Sequence, residues 1–573
     1  MKVYEALAEA FVAEGVKAGF AVMGDANITW FGAMEARGVR MISARHEAAA
    51  VSMADGFAQA GGGVGVCTVT CGPGLLHTVT PLLGAARGDV PLVLFAGDLP
   101  AGTRRGNPQD VDQRKVAELC EAAFVQVTSP ATAVDAVRRA FAIARVERRP
   151  VVLNAPMDVQ AAEYPGTSGA APVGTAAVVR VGSDPAVRLR VVELIQGSRR
   201  PVILAGRGAI RSGADRELLA LAERIGALVT TTMPAKGWLD EDPFAVGVVG
   251  PLRSAVAEEL LAEADLVLAF GSTLDRYTRT EGGVVFPTAT VVSVNTDAGP
   301  RPPHPPADLY LTGDARRTTQ ELLDDLDDAG FRQEGFRTAE LQHRLQTAGG
   351  PPTVGDGSPM DPRDVMRTLE GHLGPYHDVV VGVGHFLGFP VLHLRRPTGG
   401  HFLFCHYSGS IGYALPTGIG AAVANPDRTV VVVEGDGSLM QYVQELDTAA
   451  RLGLRLLVVV VNDGAFGAEL FKMRHAGVES ASAVIPTPSF DDVARAFGAD
   501  GALAADAASL DKALTEFGAS GGVYVIDARV DREAMSEMYR KLLLGEPNRA
   551  PHQRETQSRE MPTTEGATKE VRP

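Results

Sequence analysis

Two short acidic turns could do chemistry together: Gly435-Asp436-Gly437-Ser438 and Asn462-Asp463-Gly464. The β-branched run Thr429 to Val433 before the first reads as a buried strand. Leu439 to Arg451 after it shows helical spacing, and Leu456 to Val461 is a second apolar strand. Strand, glycine-rich turn, helix and strand make one βαβ unit, and open α/β sheets bind ligands beyond the C-terminal ends of such strands. Gly435 and Gly437 let the backbone approach a phosphate closely. Asp436 and Asp463, ending successive strands, could share one hard cation. The expectation is a diphosphate held through Mg²⁺, with the rest of the chain supplying the organic half of that cofactor.

The elements that must position these turns can be read from the rest of the chain. A length of 573 residues is too much for one core, and three domains is the natural division. Residues 1–165 alternate between apolar strands and amphipathic helices, which predicts a parallel sheet covered by helices. Strands are expected at Ala18 to Met23, Val39 to Ala44, Gly65 to Thr70, Pro91 to Ala96 and Pro150 to Asn154, with an Ala-rich helix over His46 to Gln59. A Gly-, Pro- and Ala-rich stretch at 166–180 reads as a linker. A second α/β unit spans 181–346, with strands at Pro201 to Ala205, Ala227 to Thr232, Leu266 to Phe270 and Thr290 to Asn295. A second linker, Thr347 to Pro359, leads to a third α/β unit over 360–540. The fold class is therefore α/β, three doubly wound parallel-sheet domains. Residues 547–573 are polar and free of aromatics and are expected to be a disordered or draped tail.

Composition narrows the partners. A net charge of −15 argues against nucleic acid. No apolar run approaches a membrane span, and the N-terminus lacks a signal pattern. Cys67, Cys71, Cys120 and Cys405 fit no zinc pattern and read as reduced thiols in a cytoplasmic protein.

Two further features stand out in the first unit. Glu47, in Arg45-His46-Glu47, opens a helix among small residues, where its charge gains from the helix dipole. Gly72-Pro73-Gly74 is either a tight strand-to-helix turn or a backbone held close to a flat ring. Together with Ala54-Asp55-Gly56-Phe57-Ala58, Asp112-Gln113, Leu204-Ala205-Gly206-Arg207-Gly208, Gly409-Ser410-Ile411-Gly412-Tyr413-Ala414-Leu415-Pro416 and Gly435-Asp436-Gly437-Ser438, they occur in a telling order. The chain resembles the thiamine diphosphate-dependent 2-oxo acid decarboxylase and acetohydroxyacid synthase superfamily over about residues 1–540.

The resemblance implies roles. The first domain would bind the pyrimidine and the third the diphosphate. Glu47 would hydrogen-bond N1′ of the aminopyrimidine, a partner that a buried carboxylate needs. Gly72 and Pro73 would lie against the ring, and the Gly409 carbonyl would receive the 4′-amino group. Ile411 would hold the cofactor bent, a task suited to a side chain stiff at χ1. Asp436, Asp463 and the Ala465 carbonyl would bind Mg²⁺, with Asn462 the second choice for the middle ligand. Gly435, Gly437, Ser438, His385 and Phe386 would contact the diphosphate. The active site would lie between subunits of a homodimer or homotetramer.

The implied reaction is non-oxidative decarboxylation of a 2-oxo acid, its enamine then protonated to an aldehyde or ligated to a second carbonyl. Glu469 matches the proton-relay glutamate of pyruvate and indolepyruvate decarboxylases, and Asp25 the aspartate of their Gly-Asp-x-Asn segment; the alternative is a solvated helix residue and an N-cap. Asn107-Pro108-Gln109-Asp110-Val111-Asp112-Gln113 resembles the synthase pattern instead, with Gln113 as an active-site amide. His77 stands where synthases carry Asn and is either a proton-relay group or a packed helix residue. An acetolactate synthase-like carboligase is thus the alternative to a decarboxylase, and a non-catalytic cofactor-binding homologue a remoter one. Phe466, Phe471, Lys472, Arg474 and His475 neighbour Glu469 and could line the substrate pocket. In synthases and oxidases the central domain can bind FAD; here a lone Gly206-Arg207-Gly208 does not support it.

Overall fold

Uninterrupted apolar runs favour parallel sheets covered on both faces, and the computed structural model contains three of them. It describes residues 1–103, 106–166, 180–297, 299, 304–347, 359–396, 399–405 and 407–545. Most of both expected linkers and the polar tail lie outside the described residues.

The first sheet contains β1 (Ala18–Ala21), β2 (Arg40–Ser43), β3 (Gly65–Val69), β4 (Leu92–Asp98), β5 (Ala123–Gln126) and β6 (Val151–Pro156), in the order β2-β1-β3-β4-β6-β5. The second contains β7 (Pro201–Ala205), β8 (Leu228–Thr231), β9 (Ala245–Val248), β10 (Leu266–Phe270), β11 (Thr290–Asn295) and β12 (Leu309–Thr312), ordered β12-β11-β10-β7-β8-β9. The third contains β13 (His377–Val381), β14 (Phe402–Phe404), β15 (Thr429–Gly435), β16 (Leu456–Asn462), β17 (Asp500–Ala504) and β18 (Val523–Arg529), ordered β14-β13-β15-β16-β18-β17. The first and third sheets therefore share one topology, while the central sheet has the other doubly wound order. The edge strands β5, β9 and β12 escape a reading of apolar runs because half-buried residues make up half or more of each.

The described residues divide into two compact units. One takes Met1–Val181, Met233–Asp240 and Gly349–Ser536; the other takes Gly182–Thr232, Glu241–Ala348 and the C-terminal segment from Glu537. Two departures from the expected boundaries result. Met233–Asp240 leaves the central stretch for the first unit, and the chain leaves the third sheet's unit at Glu537, before residue 540. In the second unit the returning segment is anchored by a buried charge. Lys541 donates to the Arg253 carbonyl at 2.8 Å and pairs with Glu258 at 3.1 Å. Burial and the neighbouring Arg253 guanidinium lower its ammonium to about 8.

Within the first unit, the first and third sheets are joined by two helices rich in small residues, Glu47–Gln59 and Ala414–Ala424. Their backbones approach so closely that a Cβ on Gly420 would sit 1.9 Å from the Met53 carbonyl oxygen, and one on Gly56 2.0 Å from that of Thr417. This packing brings the helix that begins at Glu47 against the helix after the Ile411 loop. Gly420→Ala is expected to destabilise the protein by about 1–3 kcal/mol or more through overpacking, read as a lowered midpoint in denaturant unfolding.

Candidate active site

The order reverses between β1 and β3 in the first sheet and between β13 and β15 in the third, and such switch points open crevices at the strands' C-terminal ends. Asp25 and Gly72 follow β1 and β3, and His385 and Asp436 follow β13 and β15. After β1 comes Gly24-Asp25-Ala26-Asn27, a turn closed by the Gly24 N–H donating to Asn27 Oδ1 at 2.8 Å; Asp25 is exposed. After β3 comes Gly72-Pro73-Gly74. Gly72 adopts φ +64°, and a Cβ there would sit 2.7 Å from the Gln109 carbonyl oxygen, so only glycine suits this turn.

Glu47 is the first residue of its helix, and the His46 ring caps that helix by accepting from the Ala48 N–H at 3.1 Å. A Glu47 carboxylate oxygen lies 2.9 Å from His77 Nδ1. The imidazoles of His46 and His77 stack with centroids 5.0 Å apart. His77 is thus a partner of Glu47, where the sequence left a choice between relay and packing. Burial holds the His46 imidazole below its ordinary value.

Gln113, expected as an active-site amide, instead faces the sheet interior. It is buried, donates to the Gly97 carbonyl at 2.9 Å and accepts from Asn154 at 2.9 Å. Asn154 also donates to Asp98, so the Gln113 amide is tied into a polar cluster between β4 and β6.

In the third sheet, β15 ends at Gly435 and Asp436 starts a short helix. Asp436 is buried, and its Oδ2 has no hydrogen-bond partner. Burial and the neighbouring Asp463 raise its carboxyl to about 7, against the pull of nearby backbone N–H groups. Asp463 accepts from the Ala465 N–H at 2.9 Å and lies 3.1 Å from His385 Nε2. Asn462 points elsewhere, donating to Asp527 at 2.8 Å and accepting from the Gly464 N–H at 3.1 Å. Two adjacent buried carboxylates, one with an oxygen lacking a partner, suit a hard divalent cation.

Aromatic rings lie against the glycines: Phe386 on Gly435 and Phe466 on Gly437, each within about 3 Å of where a Cβ would stand. The Ser438 hydroxyl, expected at a diphosphate, donates to Glu434 at 2.7 Å and accepts from the Gly412 N–H at 2.8 Å. Its proton is used inside the protein, and the hydroxyl ties the strand end to the Ile411 loop. Glu434 is a residue that the apolar strand reading passed over. It is fully buried, accepts from the Leu415 N–H at 3.1 Å, and is raised to about 7 by burial. Gly409 and Gly412 take φ +73° and +97°, and Ile411 between them is half-buried. The expected helix from Leu439 to Arg451 is interrupted. Residues 440–444 form a turn that stacks Tyr442 on Tyr413 at 5.2 Å, and the helix resumes over Glu445–Arg451.

Arg532 was also missed, because its contacts are remote in sequence. Its guanidinium donates to the Asp463 carbonyl at 2.8 Å and holds the loop before Ala465. On the helix Gly467–His475, Glu469 is exposed and bonds Lys472 at 3.3 Å, Arg474 pairs with Glu533, and Phe471 packs edge-on to His385. In the central sheet, Gly206 and Gly208 pack against the Gly271 backbone, with the Gly208 N–H donating to the Gly271 carbonyl at 2.9 Å. No helix among the described residues is long and apolar enough to cross a membrane.

Comparison with known proteins agrees with this layout. Residues 1–119 match the N-terminal TPP binding domain of thiamine pyrophosphate enzymes, residues 189–322 their central domain, and residues 382–528 their C-terminal TPP binding domain. The chain belongs to the thiamine pyrophosphate-dependent enzyme superfamily. It is 30% identical to an acetolactate synthase large subunit of Parasynechococcus marenigrum, over 92% of this chain and 87% of that one. It is 28% identical to a sulfoacetaldehyde acetyltransferase of Alcaligenes xylosoxydans xylosoxydans, over 95% of both chains. It is 29% identical to a probable 2-ketoarginine decarboxylase of Pseudomonas aeruginosa, over 92% and 93%.

Protons and a divalent cation compete for Asp436. Below about 7 its carboxyl is protonated in the metal-free protein, so cation binding must displace a proton there. Mg²⁺ affinity in the presence of thiamine diphosphate is expected to be roughly tenfold weaker at pH 6 than at pH 8, measured by calorimetric titration.

Proposed function

We propose that this protein catalyses thiamine diphosphate- and Mg²⁺-dependent, non-oxidative decarboxylation of a 2-oxo acid, ending in an aldehyde or in ligation to a second carbonyl. The observation that carries this reading is Asp436, a buried carboxylate with an unpartnered oxygen beside Asp463 at a switch point. Its surroundings fit a cation-held diphosphate. Family membership supports the cofactor.

Thiamine diphosphate, when bound, would supply a nucleophilic carbon for the substrate carbonyl and a cationic ring as sink for the electrons of the carboxylate bond. The chain's residues do the rest. Asp436, Asp463 and the Ala465 carbonyl would hold Mg²⁺. Asp463 is favoured over Asn462 because Asn462 is committed to Asp527. Gly435, Gly437, His385 and Phe386 would cradle the diphosphate, with Ser438 bracing the cradle through Glu434. Gly72, Pro73, the Gly409 carbonyl and Ile411 would bind and bend the organic half. Glu47 would hold N1′ of the pyrimidine, exchanging its present bond to His77 for that one. Asp25 and Glu469 would move protons at the substrate carbon. A homodimer or homotetramer, with its sites between subunits, would complete the pocket.

The second reading is an acetolactate synthase-like carboligase, favoured by the relatives bearing that name. Incubation with a panel of 2-oxo acids, with and without an aldehyde or 2-oxo acid acceptor, separates the two by product mass. Aldehyde without acceptor supports the decarboxylase, a 2-hydroxy ketone or acid supports the ligase, and no carbon dioxide from any member sinks both. Glu47→Gln is expected to lower kcat at least about 100-fold while leaving the circular dichroism spectrum unchanged. Glu469→Gln is expected to slow aldehyde release more than carbon dioxide release.

A further inference from the structure

Glu445 has no part in the chemistry above, yet its carboxylate is completely buried. It opens the helix Glu445–Arg451 of the third domain, and its backbone partners lie in the first domain. One oxygen accepts from the Arg45 N–H at 2.9 Å, and the His46 N–H also bonds the carboxylate. The other oxygen takes the Thr448 hydroxyl at 2.7 Å. Arg45 and His46 are the two residues immediately before Glu47.

The same helix grips the turn elsewhere. Asp447 bonds the Arg45 guanidinium at 2.7 Å and Arg451 at 2.9 Å, and Arg451 donates to the Ser43 carbonyl at 2.8 Å. The Tyr442 ring lies edge-on to the His46 imidazole at 5.4 Å. His46 is extended, at φ −149° and ψ 144°, and Glu47 begins the helix directly after it. The direction in which the Glu47 side chain leaves the backbone is therefore set by the peptide planes that Glu445 holds.

We infer that Glu445 is the positioning residue for Glu47: a buried carboxylate from the third domain that fixes the Arg45 and His46 amides, and through them the aim of Glu47 at the cofactor. A carboxylate suits the task because it can accept from two converging N–H groups at once. The surface ion pair of Arg45 with Asp447 is exposed and adds little. The inference rests on the proposed role of Glu47.

The test is Glu445→Ala, which leaves the Arg45 and His46 N–H groups without their acceptor. The direct readout is exchange of the C2 hydrogen of bound thiamine diphosphate for deuterium, read by rapid acid quench and NMR. That exchange needs no substrate. We expect it to slow by about 10–100-fold, as for a small misplacement of a catalytic group, with kcat falling by the same factor. KM for the 2-oxo acid should stay within about threefold, since substrate contacts are unchanged. Asp447→Asn, which weakens the exposed pairs with Arg45 and Arg451 and leaves Glu445 in place, should leave exchange within about twofold. Wild-type exchange in folded Glu445→Ala overturns the inference. So does equal slowing in Asp447→Asn, which would make the helix mere domain glue. Should Glu445→Ala fail to fold, Thr448→Val, which removes one bond from the carboxylate, decides in the same way: slowed exchange supports the inference, and unchanged exchange overturns it. Were no 2-oxo acid to release carbon dioxide with the wild-type protein, the proposed reaction would fail, yet the exchange measurement would still decide the role of Glu445.

Discussion

Burying a carboxylate is unfavourable unless hydrogen bonds or an opposite charge replace water, and this constraint organises the segment after β15. Glu434, Asp436 and Glu445 are all buried there. Glu434 is met by the Ser438 hydroxyl and the Leu415 N–H, and Glu445 by the Arg45 N–H and the Thr448 hydroxyl. Asp436 alone of the three keeps an oxygen without a partner, and it faces a second carboxylate, Asp463. The two satisfied groups hold backbone in place, while the unsatisfied one fits a ligand that the protein must take from solution.

The satisfied carboxylates also explain how loops distant in sequence come to act together. Glu434, through Ser438, joins the end of β15 to Gly412 and so to the half-buried Ile411. Glu445 joins the third domain to the turn before Glu47. Between these two braces runs the close contact of Gly56 with Thr417 and of Gly420 with Met53. Small residues at that contact let the two helices approach to backbone distance, so neither sheet can shift without the other. The metal-side loop has its own brace in Arg532, which holds the Asp463 carbonyl.

Some of this was legible from residues alone. Val430 to Val433 is buried on both faces, so an unbroken apolar run identified β15 as an interior parallel strand. Glu47 was recognised at a helix start, and the glycine turns at strand ends, because helix capping and positive φ leave local marks. Edge strands such as β12 were not legible, since a strand packed on one side carries only a weak apolar pattern. The helix expected through residues 440–444 is interrupted by a turn in which Tyr442 stacks on Tyr413, a partner remote in sequence. The partners of Gln113 were hidden for a similar reason: its amide is taken up by Gly97 and Asn154, which only the sheet brings beside it.

The sequence by itself determined the α/β class, the glycine-marked turns and the candidate acids Glu47, Asp436 and Asp463, because strand burial, backbone freedom and residue chemistry are local properties. Only the tertiary structure decided which polar groups are already committed. It turned Asn462 toward Asp527, Ser438 toward Glu434 and Gln113 into the core, and it left Asp436 with an oxygen lacking a partner. Hydrogen-bond satisfaction depends on neighbours that meet only when the sheets close. The difference between a structural carboxylate and one that fits a cation is therefore written in the packing.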